Sequence, residues 1–461
     1  MIRNFPDKIT NLSLRARIVT ALGIFLFVGT VYSLFAYKRI TSASKNNHFA
    51  YLAESWLSGN LHMKTPPPHG NDWARVLTLE LRSGKSVSGK WYHSKGKNIF
   101  RTLDGKFLTL NASDIRARKS KWYVSFPPAP AIVMLVPVKL WGLRANDVLI
   151  TVIFAAAAMA LFWLLLSVTA QHGWHKRTFL QSLVLTGIFA FGTAFFWASV
   201  RGEVWFTAHI FGVFFIICFL LAVFTDHPIL AGFALSAAFL SRTPMIFASI
   251  FYAFYLWRKN GFKNIRGDIF TLSIFSIPII LAIAAVMTHN YLRFQDVFEF
   301  GHNYLDVRWQ YRIQKYGLFN YEYLSRNLSV VFTLLPRIKT SWPFIQISPH
   351  GMALWLTTPV LFYMFRANMK KNLIPGFVFI SAVMALLVFS YQNSGFVQYG
   401  YRFSIDFTVF ILLIIAFSGI KFTRVFYALA AWGLIVNTFG ALTFSRFHAF
   451  YPPGNFLFFT S

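Results

Sequence analysis

Acids are scarce in this chain, so each one is conspicuous: 15 Asp and Glu stand against 44 Lys and Arg in 461 residues. Three of them open long apolar runs: Asp147 in "RANDVLITV", Glu203 in "SVRGEVWF" and Asp406 in "YRFSIDFTV". A carboxylate in apolar surroundings is costly, and such groups are functional suspects by default. It can act as a general base toward a hydroxyl. Each has an arginine nearby, Arg144, Arg201 or Arg402, and ion pairing is the plain alternative role. Arg242, in "FLSRTP", ends another apolar run before a proline. An arginine is always charged and can hold a phosphate in two-point contact. The candidate catalytic acids are therefore Glu203, Asp147 and Asp406, and the candidate phosphate-binding residues are Arg242, Arg201 and Arg402.

Other chemistry is weakly signalled. Ser83-Gly84-Lys85-Ser86 resembles a phosphate loop, but the position that would need glycine is Leu79. His48, His62, His69 and His93 share one segment without ligand spacing. Cys218 is the only cysteine, so neither an intrachain disulfide nor a CxxC site exists. No cofactor or metal site follows from these residues, and a divalent metal remains compatible with them.

The elements that must position these groups are membrane spans. The chain is 56% hydrophobic and 13% charged, with mean hydropathy +0.52. The net charge of +29 would suggest nucleic acid in a soluble protein, but no nucleic-acid motif is present. Basic loops, anionic lipid headgroups and anionic substrates account for it instead. Eleven apolar runs read as spans: 18–36, 146–168, 178–199, 205–224, 229–241, 244–257, 269–288, 352–365, 373–391, 401–420 and 425–444. Arg3, Lys8, Arg15 and Arg17 place the N-terminus in the cytoplasm by the positive-inside rule. Lys176-Arg177, Arg258–Arg266, Arg366–Lys371 and Lys421–Arg424 mark further cytoplasmic loops. Two large loops, 37–145 and 289–351, then lie outside. The fold class is an all-α polytopic membrane protein with a small β-module in the first outer loop. Its parts are 1–36 (N-terminus and first span), 37–145, 146–288 (spans two to seven), 289–351 and 352–461.

Within the first loop, residues 76–110 alternate apolar and polar around glycine turns, and Asp104-Gly105 is a hairpin signal. About four strands are expected, with Lys85, Lys90, Lys95, Lys97, Arg101 and Lys106 on the surface. The run from Ala129 to Val138 is about half the roughly 20 residues that a bilayer crossing needs. The charge pattern also forbids a crossing there, so 129–142 is expected as a short amphipathic interfacial helix.

Several segments resemble the C-type glycosyltransferases (GT-C), multi-span enzymes that use polyprenyl-phosphate sugars and include protein O-mannosyltransferases and aminoarabinose transferases. "HFAYLAESWLSGNL" (48–61) is similar to their first outer-loop helix, and "WYVSFPPAPAIVMLVPVKLWG" (122–142) to the proline-containing helix that follows. "LAGFALSAAFLSRTP" (230–244), "HNYLRFQDVFEFGHNYL" (289–305) and "GFVQYGYRFSIDF" (395–407) resemble later patterns in the same order. The resemblance implies a GT-C-like fold. It also implies transfer of a sugar from a polyprenyl-phosphate donor to a glycan, lipid or protein acceptor on the periplasmic face of a bacterial inner membrane. Glu203 matches a position that often carries a second acid in the family. The family's first acid, the base or part of a metal site, would stand where this chain has Asn46-Asn47. That departure leaves an inactive relative, and a lipid-substrate transporter or flippase, as the alternatives.

Overall fold

The computed structural model describes residues 12–92, 98–261 and 263–452; Arg3, Lys8, His93, Lys95 and Lys97 lie outside them. The chain is mostly helical with one small antiparallel sheet. Helix α1 (Leu14–Ala36) starts at Ser13, whose side chain accepts from the Ala16 amide. A short helix α2 (His48–Leu57) leads into five strands: β1 (Trp73–Leu81), β2 (Ser86–Trp91), β3 (Ile99–Thr102), β4 (Phe107–Thr109) and β5 (Ile115–Val124). Then come α3 (Ala129–Trp141), α4 (Asp147–Gln171), α5 (Phe179–Phe191), α6 (Ala194–Ser199), α7 (Glu203–Phe224), α8 (Pro228–Phe239), α9 (Ser249–Asn260) and α10 (Ile265–Phe294). The segment between α10 and α13 carries α11 (Gln310–Tyr316), α12 (Leu324–Phe332) and a two-stranded ribbon. The chain ends with α13 (Leu354–Thr357), α14 (Ile374–Phe389), α15 (Ile405–Ser418) and α16 (Arg424–Thr443).

Among the described residues, five helices are long and apolar enough to cross a membrane: those containing α1, α4, α7, α10 and α16. This measure does not confirm the count of eleven spans; three further apolar helices, α5, α8 and α14, are shorter. The run expected at 178–199 is two helices, because Gly192 ends α5 and the Thr193 side chain caps α6 by accepting from Phe195 N. Pro359 likewise turns the run at 352–365 into a one-turn helix and a 3-10 stretch. The break expected at Arg242–Pro244 is present as a 3-10 turn between α8 and α9.

Helix α7 is apolar on all sides and forms the centre of the bundle, whereas α1 and α10 expose most of their apolar surface. Gly232 brings α8 close to α10: a Cβ there would lie 2.3 Å from the Phe275 carbonyl oxygen. At one end of the bundle, Arg177 donates to the carbonyls of Ile415, Ala416 and Ile420, satisfying the last turn of α15. Asp406 lies in the first turn of the same helix, so the basic loop and the acid mark opposite ends.

The sheet has the order β4-β3-β2-β1-β5, with five strands over 73–124 where about four over 76–110 were expected. The strand missed was β5, "IRARKSKWYV". It lies beyond the expected bounds, and its arginines and lysines line an edge of the sheet, where charge discourages further pairing. The β1–β5 register ends at Trp73 opposite Val124, and both are buried with α2, α3 and the start of α7. That apolar cluster ties the module to the bundle. Helix α3 does form at 129–141, but it is apolar on both sides rather than amphipathic. Ala131, Met134 and Val138 are buried, while Ile132, Val136 and Leu140 are exposed.

Candidate functional site

The acids at the helix starts are organised from α4 outward. Asp147, 2% exposed, accepts from Ser44 N at 2.7 Å, Ser44 Oγ at 2.6 Å and Glu203 N at 2.9 Å. Three donors on one carboxylate fix the start of the first loop and the first residue of α7 to the start of α4. Gly202 allows that approach. Its φ is 64°, and a Cβ would lie 2.7 Å from Val148 Cγ2. Asp147 is thus enclosed and positions Glu203.

Glu203 is aimed outward. Its Oε2 accepts from Arg201 Nη2 at 2.8 Å, and its Oε1 faces Asn46 Nδ2 at 3.4 Å. Arg201 also donates to Ser445 Oγ and lies over the rings of Phe444 and Phe206 at 4.5 and 4.9 Å. Asp72 stands beside this pair, because its Oδ2 accepts from Trp205 Nε1 at 2.8 Å. Burial pushes the Asp72 carboxyl up from its ordinary value, against the opposing pull of the Trp205 hydrogen bond and the Arg402 charge. Asp72 and Glu203 both hold positive φ, 56° and 64°, conformations that non-glycine residues adopt sparingly and that gather at functional sites.

Asn46, Asp72, Arg201 and Glu203 line a cavity of about 470 Å³. Arg312 of α11, Arg326 of α12, His350 and Ser394 also line it, carried by the second large loop (289–351) and the loop after α14. Asn327 brings that wall in by donating to the carbonyls of Phe389 and Tyr391 at the end of α14.

Arg242 and Asp406 do not line this cavity, although Arg242 was expected to share one with Glu203. Asp406 is fully buried and accepts from Arg242 Nη2 at 2.6 Å and Nε at 3.2 Å, and it pairs with His209 Nδ1 at 2.6 Å. The partner of Asp406 is therefore Arg242, not the adjacent Arg402. Arg402 is buried, bonds the Val397 carbonyl at 3.3 Å and lies over Phe403 and Phe206. Of the six residues nominated from sequence, Glu203 and Arg201 reach the cavity wall directly. Asp72, Arg312, Arg326 and His350 were missed. The signal for Asp72 was its neighbour Trp73, a large residue closing the polar stretch 58–72; nothing local marked the other three.

Among the described residues, no group of three or more His, Cys, Asp or Glu is placed to hold a metal ion.

No protein-family model matches the chain, and no curated protein matches it significantly. Among solved structures, it is similar to the apo crystal structure of the Archaeoglobus fulgidus oligosaccharyltransferase, with 12% identity and a TM-score of 0.46. The match covers 92% of this chain and 56% of that one, so this chain spans little more than half the length of that protein. The functional reading rests on the site's own geometry.

Proposed function

We propose that this protein is a membrane glycosyltransferase that moves a sugar from a polyprenyl-phosphate donor to an acceptor hydroxyl on a glycan, lipid or protein. The observation that carries the proposal is Glu203: a carboxylate held by Asp147 and Gly202 at a helix start and pointed into a polar cavity with cationic side chains around it. Glu203 accepts the proton of the acceptor hydroxyl as its oxygen bonds to the anomeric carbon. The bond from that carbon to the phosphate oxygen breaks, and the phosphate leaves with the electron pair. A base of this kind contributes about 10²–10⁴-fold to rate, and fixed cations stabilise the charge that develops on the phosphate. Arg201 orients Glu203 through their ion pair, and the other arginines lining the cavity supply the positive field. Asp147 acts by positioning, and Asp406 with Arg242 braces α7, α8 and α15. The cavity lies at the end of the bundle away from Arg177, which the charge pattern assigns to the outer, periplasmic side of a bacterial inner membrane. The exposed apolar faces of α3 and α10 offer the lipid tail of the donor its surroundings.

The closely packed aromatic and aliphatic interior around α7 and α15 speaks against a transport path through the bundle. The test is transfer from a labelled donor in proteoliposomes, compared between the wild type and Glu203→Gln at equal folded amount. Loss of transfer in the variant, with the fold retained, supports the assignment; equal transfer removes Glu203 from it.

A further inference from the structure

The three arginines nominated from sequence are already engaged. Arg201 pairs with Glu203, Arg242 pairs with Asp406, and Arg402 is buried against a carbonyl and two rings. The second-loop wall of the cavity is different. Neither Arg312 nor Arg326 is in an ion pair among the described residues. Arg312 uses Nε on the Tyr311 hydroxyl at 3.2 Å, and Arg326 uses one Nη on the Gln392 carbonyl. Arg326 Nε is buried with no acceptor, as are Arg201 Nε and Arg402 Nε, but Arg201 is ion-paired and Arg402 does not line the cavity. A buried guanidinium donor without a partner costs free energy that a bound oxyanion would recover. His350 sits with them, bonded through Nδ1 to Ser394 Oγ at 2.7 Å, and burial with the neighbouring Arg326 and Arg312 charges lowers it to about 4. The wall therefore presents two guanidinium charges and a neutral imidazole, with no carboxylate paired to them.

The cavity is thus divided. Its carboxylates, Asp72 and Glu203, come from the first loop and the start of α7. Its cations outside any ion pair, Arg312 and Arg326, come from the second loop. Displacement at a carbon sets the incoming oxygen and the leaving oxygen on opposite sides of the reacting centre. A base on the Glu203 wall requires the leaving group on the other wall. We infer that Arg312 and Arg326 form the seat of the donor's leaving phosphate, across the cavity from Glu203, in place of the arginines nominated from sequence. This rests on the glycosyl-transfer reading for the identity of the anion, but the seat itself is a binding property that can be measured without turnover.

Two probes serve: inorganic phosphate, and farnesyl phosphate as a short, soluble polyprenyl phosphate. Each is titrated calorimetrically into the purified full chain in detergent. Arg312→Gln leaves the Gln392 contact intact, and Arg326→Lys keeps the charge while removing Nε, so both variants are expected to fold. The expected result is that Arg312→Gln weakens both probes about tenfold, Arg326→Lys weakens them less, and Arg312→Gln with Arg326→Gln removes binding. Arg242→Met paired with Asp406→Leu is expected to leave both affinities unchanged. Unchanged affinity in the Arg312 and Arg326 variants overturns the seat, as does an acceptor-only defect in transfer, which would assign the wall to an acidic acceptor. Arginine-dependent phosphate binding in a protein that shows no transfer would keep the seat and discard the transferase.

Discussion

The buried cluster of Asp406, Arg242 and His209 gives the sharpest quantitative expectation. Asp406 is fully enclosed, and its two oxygens take three contacts from Arg242 and one from His209. Asp406→Asn keeps the shape but removes the charge that compensates Arg242. Removing one partner of a buried pair costs about 3–5 kcal/mol. The Arg242 side chain is 21% exposed, so water relieves part of the penalty and the lower end, about 3 kcal/mol, applies. Arg242→Met alone leaves the enclosed carboxylate unpaired and should cost at least as much. The double change Arg242→Met with Asp406→Leu removes both charges, and its cost should fall well short of the sum of the single costs. The assay is unfolding of the detergent-solubilised protein for both singles and the double, beside donor affinity. Additive losses in the double variant would refute the idea of a coupled pair. A stable double variant that had lost donor affinity would return Arg242 to the phosphate site.

Three other outcomes follow from the geometry. Glu203→Gln should lower turnover per folded molecule by about 100-fold or more while costing about 1 kcal/mol of stability, because Gln still accepts from Arg201; near-normal turnover contradicts the base. Gly202→Ala meets both the positive φ and Val148 at 2.7 Å, so it should cost about 2 kcal/mol or more and reduce transfer by displacing Glu203; a wild-type melting curve would contradict this. Lys90, which donates to the Asn303 carbonyl, is lowered by burial to about 7, against the opposing pull of Glu299. The unfolded chain then binds more protons than the folded one between about pH 7 and pH 10, so stability should rise across that window; Lys90→Met should flatten the rise, and an unchanged slope would show that Lys90 is not its source.

Local patterns recovered what depends on local physics. Alternation and Asp104-Gly105 marked strands β3 and β4, whose turn places Gly105 at φ 82°. Pro244 marked the break after α8, and Glu203 stood out as an acid at the start of an apolar run. Pairings did not follow from neighbours in sequence. Asp147 takes its donors from Ser44 and the Glu203 backbone, and Asp406 takes Arg242 and His209 from two other helices. In each case the adjacent arginine, Arg144 or Arg402, is not the partner. The second-loop wall was hidden for a further reason. Helices α11 and α12 are short and without a distinguishing motif, and Arg312 and Arg326 come to the cavity through long-range docking on the end of α14, by Asn327, by the Phe319–Tyr391 bridge and by backbone bonds to Ser390 and Gln392.

The central claim is that this protein breaks the bond between a sugar and a polyprenyl phosphate. The most direct measurement follows a donor labelled in both its sugar and its lipid in liposomes containing the purified wild-type chain and an acceptor extract. The account predicts that free polyprenyl phosphate accumulates while the sugar label moves to the acceptor. An intact donor that crosses the bilayer uncleaved would contradict it and identify a flippase instead.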